Sequence, residues 1–196
     1  MRLPATAHTA TPWRIHEITP DFRIEDVWAL PWVDDFRGFV QMVSAGDLRH
    51  GTPAAVRGLA AIREGIGRLL GWDDAEAGVG SRVPSLRERL PADLRAATGP
   101  AFPSLPFTSL YLIDDEFAAE VANRTMHGVL HLGRVADSSG GGAQMAILVK
   151  PNGLLGRGYM AAIKPFRHAI VYPALFRAWE RAWRRRRAAP EDYGVA

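Results

Sequence analysis

The amino-acid sequence predicts an α+β fold in which an antiparallel sheet packs on a long C-terminal helix. Three observations carry this expectation. Through residue 70 the clearest apolar repeats have helical spacing; after Pro106 the period falls from about 3.6 residues to 2; from Leu154 it becomes helical again. Runs of strands followed by a helix indicate an antiparallel sheet with helices on one face. The 196 residues fit a single domain, 1–196, ending in a basic helical tail, 177–196.

In chain order, WRIHEI (13–18) alternates large apolar with polar residues and reads as a first strand. A short turn of helix over 21–27 follows, and Pro31 stops it. Asp34 or Asp35 caps a helix whose apolar positions Phe36, Phe39, Val40 and Val43 share one face, ending near Gly46. Residues 53–70 repeat that pattern, with proline at the start and glycine just past the end. Residues 71–84 read as a loop, 85–90 as one or two further helical turns, and the proline-rich 91–106 as an irregular surface connection. FTSLYLI (107–113) is a strand and Asp114–Asp115 a turn. Residues 116–135 read either as a helix then a strand or as two strands meeting near Asn123, the two strands being preferred although Ala118, Ala119 and Ala122 suit a helix equally; DSSGGG (137–142) reads as a hairpin loop and AQMAILVK (143–150) as another strand. After the break at Pro151, Asn152 and Gly153, residues 154–187 form a long helical tract interrupted at Pro165 and Pro173, where each proline removes a backbone donor.

Composition excludes several chemistries. Apolar residues make up 47% and charged residues 23%, so the chain has the means to build a packed core. Having no cysteine, it forms no disulfide, thiolate nucleophile or cysteine-ligated metal centre. The opening MRLPATAHTATPW lacks the apolar run of a signal peptide, and no window approaches the ~20 apolar residues that span a bilayer. The expected location is cytoplasmic. The net charge of +3 is a tail property, because residues 177–187 hold six arginines against one glutamate. Such a block, interleaved with Trp179 and Trp183, fits a contact with nucleic acid or anionic lipid. It fits better a solvated helix end that offsets the helix dipole while two tryptophans four apart pack on the body. A nucleic-acid partner is therefore not expected.

The stretch NRTMHGVLHLG (123–133) places His127 and His131 four residues apart. A zinc-protease helix needs H-E-x-x-H, and no glutamate lies between them. On a strand, Thr125, His127, Val129 and His131 share one face and Met126, Gly128, Leu130 and Leu132 the other. The two histidines then stand about 13 Å apart at ~3.3 Å per residue, too far for one metal ion. The wholly apolar companion face is the one expected on the core. The histidine face is left as either a solvated outer face or a polar patch in a cavity, the solvated face being preferred. Adjacent aspartates (Asp73 with Asp74, Asp114 with Asp115) suit caps and turns better than a cation site. There is no phosphate-binding loop and no nucleophile elbow. No metal, no cofactor and no catalytic constellation is expected. Arg167 beside His168, near the Pro165 kink, offers a bidentate partner for a ligand carboxylate.

DVWALP (26–31), NRTMHGVLHLG, VKPNG (149–153) and YMAAIKPFRH (159–168), in this element order, resemble the uncharacterised bacterial domain-of-unknown-function family 2867 over most of the chain. One departure is visible: where that family has a longer Pro/Gly-rich loop after WALP, Trp32 and Val33 lead straight into Asp34. The resemblance implies a START/SRPBCC-like helix-grip fold, a curved sheet gripping the C-terminal helix, with an apolar cavity between them for a small hydrophobic ligand. It implies no reaction, since one fold hosts many functions. The leading expectation is a non-catalytic domain that binds such a ligand, with Asn123, His127, His131, Lys150, Tyr159, Arg167 and His168 as ligand-binding positions. Two alternatives stand beside it: an enzyme with His127 or His131 as acid/base and Arg167 or Lys150 holding charge, and an interaction module using the arginine-rich helix. The oligomeric state is left open.

Overall fold

The computed structural model describes residues 1–46, 79–80, 83–103, 105–123, 125–136 and 141–188. The helix expected over 53–70, most of the 71–84 loop, Asp73, Asp74, residues 137–140 of the hairpin loop and the tail beyond 188 lie outside them. Six strands form one antiparallel sheet: β1 (Arg2–Leu3), β2 (Arg23–Leu30), β3 (Thr108–Leu112), β4 (Glu116–Ala122), β5 (Met126–Val135) and β6 (Gly142–Pro151). Their order is β1-β2-β6-β5-β4-β3, a meander from β3 to β6 to which β2 adds on the far side. Two sequence expectations are corrected here. Residues 15–18 are a helical turn rather than a strand, because the backbone N–H groups of Arg14 and Ile15 are taken by the Glu116 carboxylate and not by a neighbouring strand. Residues 23–30 are a strand rather than a turn of helix; a β-bulge at Glu25 shifts the register there and breaks the two-residue period.

One face of the sheet carries Phe117, Ala119, Leu130, Leu132, Ala143 and Met145, together with Trp28 and Leu30. Against it pack α3 (Phe36–Ala45) and the C-terminal tract, following two short N-terminal helices, α1 (Thr6–Thr9) and α2 (Ile15–Ile18). The Asp35 carboxylate caps α3 by accepting from the Gly38 N–H, and Gly46 closes it in the left-handed conformation at φ 68°. The C-terminal tract runs as α5 (Gly153–Phe166), a π-helix (Arg167–Val171) and α6 (Tyr172–Ala188), with Pro165 inside the last turn of α5. Trp179 and Trp183 are buried, and the Trp183 indole N–H donates to Asp34 Oδ1 at 3.1 Å. These tryptophans belong to the core, leaving the arginines of α6 outside.

Helices also cover the other face, against the expectation of one. α1, α2, the 3₁₀ turn Leu86–Arg89 and α4 (Ala92–Ala96) bring Trp13, Ile15, Ile18, Leu86, Leu90 and Leu94 onto Tyr111, Val129 and Leu148. The indole of Trp13 packs against Gly133, where an added Cβ would stand 2.8 Å from the ring. This second layer buries His127 and His131, at 4% and 0% exposure, so the preferred reading of a solvated histidine face is overturned. No helix among the described residues is long and apolar enough to cross a membrane.

Candidate ligand-binding site

Two irregularities face each other across the sheet edge. The bulge at Glu25 turns the side chain of Asp26 onto the face shared with Trp28 and Leu30, where it is fully buried. Opposite stands the π-helix, which follows Pro165 and so begins where a backbone donor is missing. This places three donors on one carboxylate. His168 donates from Nε2 to Asp26 Oδ1, while Oδ2 accepts the Tyr172 hydroxyl at 2.8 Å and pairs with Arg167 Nη2 at 2.9 Å. Burial, reinforced by the Asp26 carboxylate, pushes the Tyr172 hydroxyl far up, so it stays a donor. His168 stacks on Tyr172, Tyr172 on Phe176, and Trp28 lies against both Tyr172 and Phe176 at 5.2 and 5.0 Å. The Trp28 indole N–H is buried and has no acceptor among the described residues.

Asp26 also lines an open cleft of about 460 Å³. Its walls are the N-terminal arm from Arg2 to Ala5, the β2 residues Ile24, Glu25 and Val27, and Lys164 of α5. The Lys164 ammonium stands 3.6 Å from Glu25.

On the other face of the sheet a second polar group is wholly internal. Glu116 accepts from the Arg14 and Ile15 N–H groups, the Tyr111 hydroxyl and His131 Nε2. Glu120 accepts from the Ser85 hydroxyl, the Leu86 N–H and His127 Nε2. Because His131 gives its Nε2 proton to Glu116, its Nδ1 accepts from His8 Nε2 at 3.0 Å, and His8 Nδ1 ends the series buried and without a partner among the described residues. Burial, then the facing His131 and His16 rings, lower His8 to about 3, and burial lowers His131 as well. Both glutamates are pushed up by burial, but the hydrogen bonds they accept outweigh it and hold them below the usual range.

The seven predicted ligand positions therefore do not form one cluster. Arg167 and His168 meet at Asp26. His127 and His131 sit beneath the N-terminal layer, and Lys150 pairs with Asp21 at the surface. Asn123 builds the β4–β5 hairpin, its side-chain oxygen accepting from the Thr125 N–H, the Thr125 hydroxyl and the Met126 N–H. Tyr159 lies in α5, its side chain outside the described residues. Sequence reading missed Asp26, Tyr172 and the two glutamates. The glutamate signal was present: Glu116 and Glu120 repeat the four-residue spacing of His127 and His131, and the register sets each glutamate diagonal to its histidine. Among the described residues there is no group of three or more histidine or acidic side chains that could hold a metal ion.

A family model described as "Protein of unknown function (DUF2867)" matches residues 18–174, which include Asp26, both glutamates, His168 and Tyr172. No curated protein and no solved structure matches the chain. The chain belongs to the DUF2867 family.

Proposed function

We propose that this chain is a small-ligand-binding domain whose site is the Asp26 centre with its adjoining cleft. One observation carries the reading: a β-bulge and a π-helix, both irregular and both enriched at functional sites, are matched across a single buried carboxylate beside a cleft of ligand size. A fold needing only a closed core would have no use for either. Behind Asp26 the rings of Trp28, Tyr172 and Phe176 pack on one another in the core, and the buried Trp28 N–H, without an acceptor among the described residues, is a group a ligand could satisfy. The helix-grip resemblance supports the same region, between sheet and C-terminal tract. An interaction role for α6 has less support, since its tryptophans are internal and Arg184 and Arg187 are paired to Glu180 and Asp34.

The test is native mass spectrometry of the purified protein together with titration by 8-anilinonaphthalene-1-sulfonate. A co-purifying small molecule or saturable dye binding is expected, weakened at least tenfold by Trp28→Phe or Asp26→Asn. Absence of both signals, or equal binding by wild type and variants, refutes the proposal.

A further inference from the structure

We propose that residues 1–11 form an acid-released latch: neutral His8 holds this arm against the sheet, and protonation of the histidines where it docks frees the arm and opens the cleft. Control of the cleft rests on the reading of that cleft as a ligand site; the latch itself does not.

The arm is tied to the body at few points. β1 pairs only Arg2 and Leu3 with Trp28 and Val27, and Met1 gives and takes one hydrogen bond with the Ala29 backbone. α1 is a single turn without a side-chain cap, and its buried residue is His8. Two hydrogen bonds hold that turn to the sheet: His8 Nε2 to His131 Nδ1 on β5 at 3.0 Å, and the Gln144 amide to the Ala7 carbonyl at 3.5 Å. The second is at the limit of a hydrogen bond, so the imidazole pair is the stronger tie. Beyond the arm the chain is fixed independently, by Trp13 against Gly133 and by the Arg14 and Ile15 N–H groups on Glu116.

The surroundings of His8 leave no place for a further proton. Its ring centroid stands 4.9 Å from those of both His16 and His131. A proton added to His8 goes to Nδ1, which is buried without an acceptor among the described residues, and His16 Nε2 is buried and unpartnered as well. The acidic groups lie on the far side of His131: Glu116 of β4, shared with the Tyr111 hydroxyl of β3, and Asp115 in the turn between them. Arg14, the nearest guanidinium in sequence, is held by Glu17 and Asp93. If both rings of the pair carry an extra proton, Nε2 and Nδ1 are both donors and the bond between them is lost.

Burial holds His8 and His131 below the ordinary histidine value, in agreement with this geometry. Above about pH 6.5 both rings are neutral whether the arm is docked or released, and docking is at full strength. Below it the released arm and the uncovered His131 take up protons that the docked state excludes, so the docking constant falls by up to about a hundredfold per pH unit. Release carries away the Arg2–Ala5 wall of the cleft.

Thr6 is exposed and the chain has no cysteine, so Thr6→Cys gives one position for a spin label. In this full-length protein, electron paramagnetic resonance from pH 7.5 to 4.5 reads the arm, far-UV circular dichroism the sheet, and titration with 8-anilinonaphthalene-1-sulfonate the cleft. The label should pass from immobile to mobile below pH 6.5 while the sheet signal holds, and dye affinity should fall at least tenfold over the same range. His8→Gln keeps a donor for His131 but takes no proton; it should reduce the dependence to about tenfold per pH unit and move release to lower pH. A label immobile down to pH 4.5, a mobility profile unchanged by His8→Gln, or loss of the sheet together with the arm overturns the latch. A mobile arm with undiminished dye affinity overturns its control of the cleft. Absence of dye binding at pH 7.5, with the mobility profile as expected, overturns the ligand site and that control with it, and leaves the latch standing.

Discussion

At the scale of the residue, Glu116 shows why a buried charge need not destabilise. Four donors from three elements and the N-terminal segment converge on it. Glu116→Gln turns an amide N–H₂ toward those donors and is expected to cost about 2–4 kcal/mol in urea unfolding, comparable to Leu130→Asn on the apolar face. A loss under 1 kcal/mol would mean that the network contributes little. The histidines add a pH dependence. In the folded state His8 and His131 are held neutral, their pKa values lowered by burial, while in the unfolded chain they take up protons below about pH 6.5. Their contribution is therefore present above pH 6.5 and lost as pH falls, for His8 down to about 3. Glu116 and Glu120, with lowered values, lose theirs only at lower pH, as it falls through the ordinary carboxylate range and on toward their lowered folded values. The unfolding free energy should thus fall by about 2 kcal/mol from pH 7 to 5.5, before any carboxylate titrates, and His8→Leu should flatten that slope by about half. A slope unchanged in His8→Leu would place the acid sensitivity elsewhere.

At the scale of the element, legibility followed the regularity of the backbone. The α3 helix was readable because cap, apolar stripe and terminal glycine all agree; β5 and β6 were readable because their period stays at 2 and their turns carry Asn or Gly, and β3 was readable despite a register shift between Ser109 and Tyr111, whereas the alanines of β4 suit helix and strand alike. β2 was misread because one bulged residue and one buried aspartate erase the alternation that marks a strand. The π-helix was visible only as a proline kink, since its extra residue shows in the three-dimensional register rather than in composition. That register is testable. Deleting Ala169, an exposed residue of the π segment, removes the extra residue and rotates either Arg167 and His168 or Tyr172 by about 100° away from Asp26. Helicity by circular dichroism should persist while dye binding drops at least tenfold; retained binding would show that the π segment is dispensable for the site. Trp183, by contrast, holds the tail to the body through Asp34 and an edge contact with Phe39. Although residues 177–196 read as a basic tail, Trp183→Ala should cost about 3–4 kcal/mol by denaturant titration.

At the scale of the whole molecule, one sheet is covered on both faces, and the chain's first residues join the two halves of that design. The same arm that supplies β1 and the Arg2–Ala5 wall of the cleft also carries His8 into contact with His131 under the opposite layer. Sequence could show which sheet face was wholly apolar, but not that a distant segment rich in Ala, Thr and Pro would cover the other, since that cover depends on side-chain hydrogen bonds across more than a hundred residues. Removing residues 1–11 should therefore act on both halves at once. It uncovers His131 and the Glu116 network, takes away the strand paired to β2 and opens the cleft, a loss of about 3–4 kcal/mol, or roughly 10 °C in Tm for a chain of this size. Far-UV circular dichroism should still report the sheet, because α3, α6 and the core of Phe39, Leu132, Met145 and Trp179 lie on the face that the arm does not touch. Dye binding should be lost in the same variant. If Tm falls and binding survives, the arm is only a cover for the histidine face and the ligand is held by the Asp26 centre alone; if binding falls and Tm holds, the wall matters more than the cover; if neither moves, the coupling of the two faces through the arm is refuted.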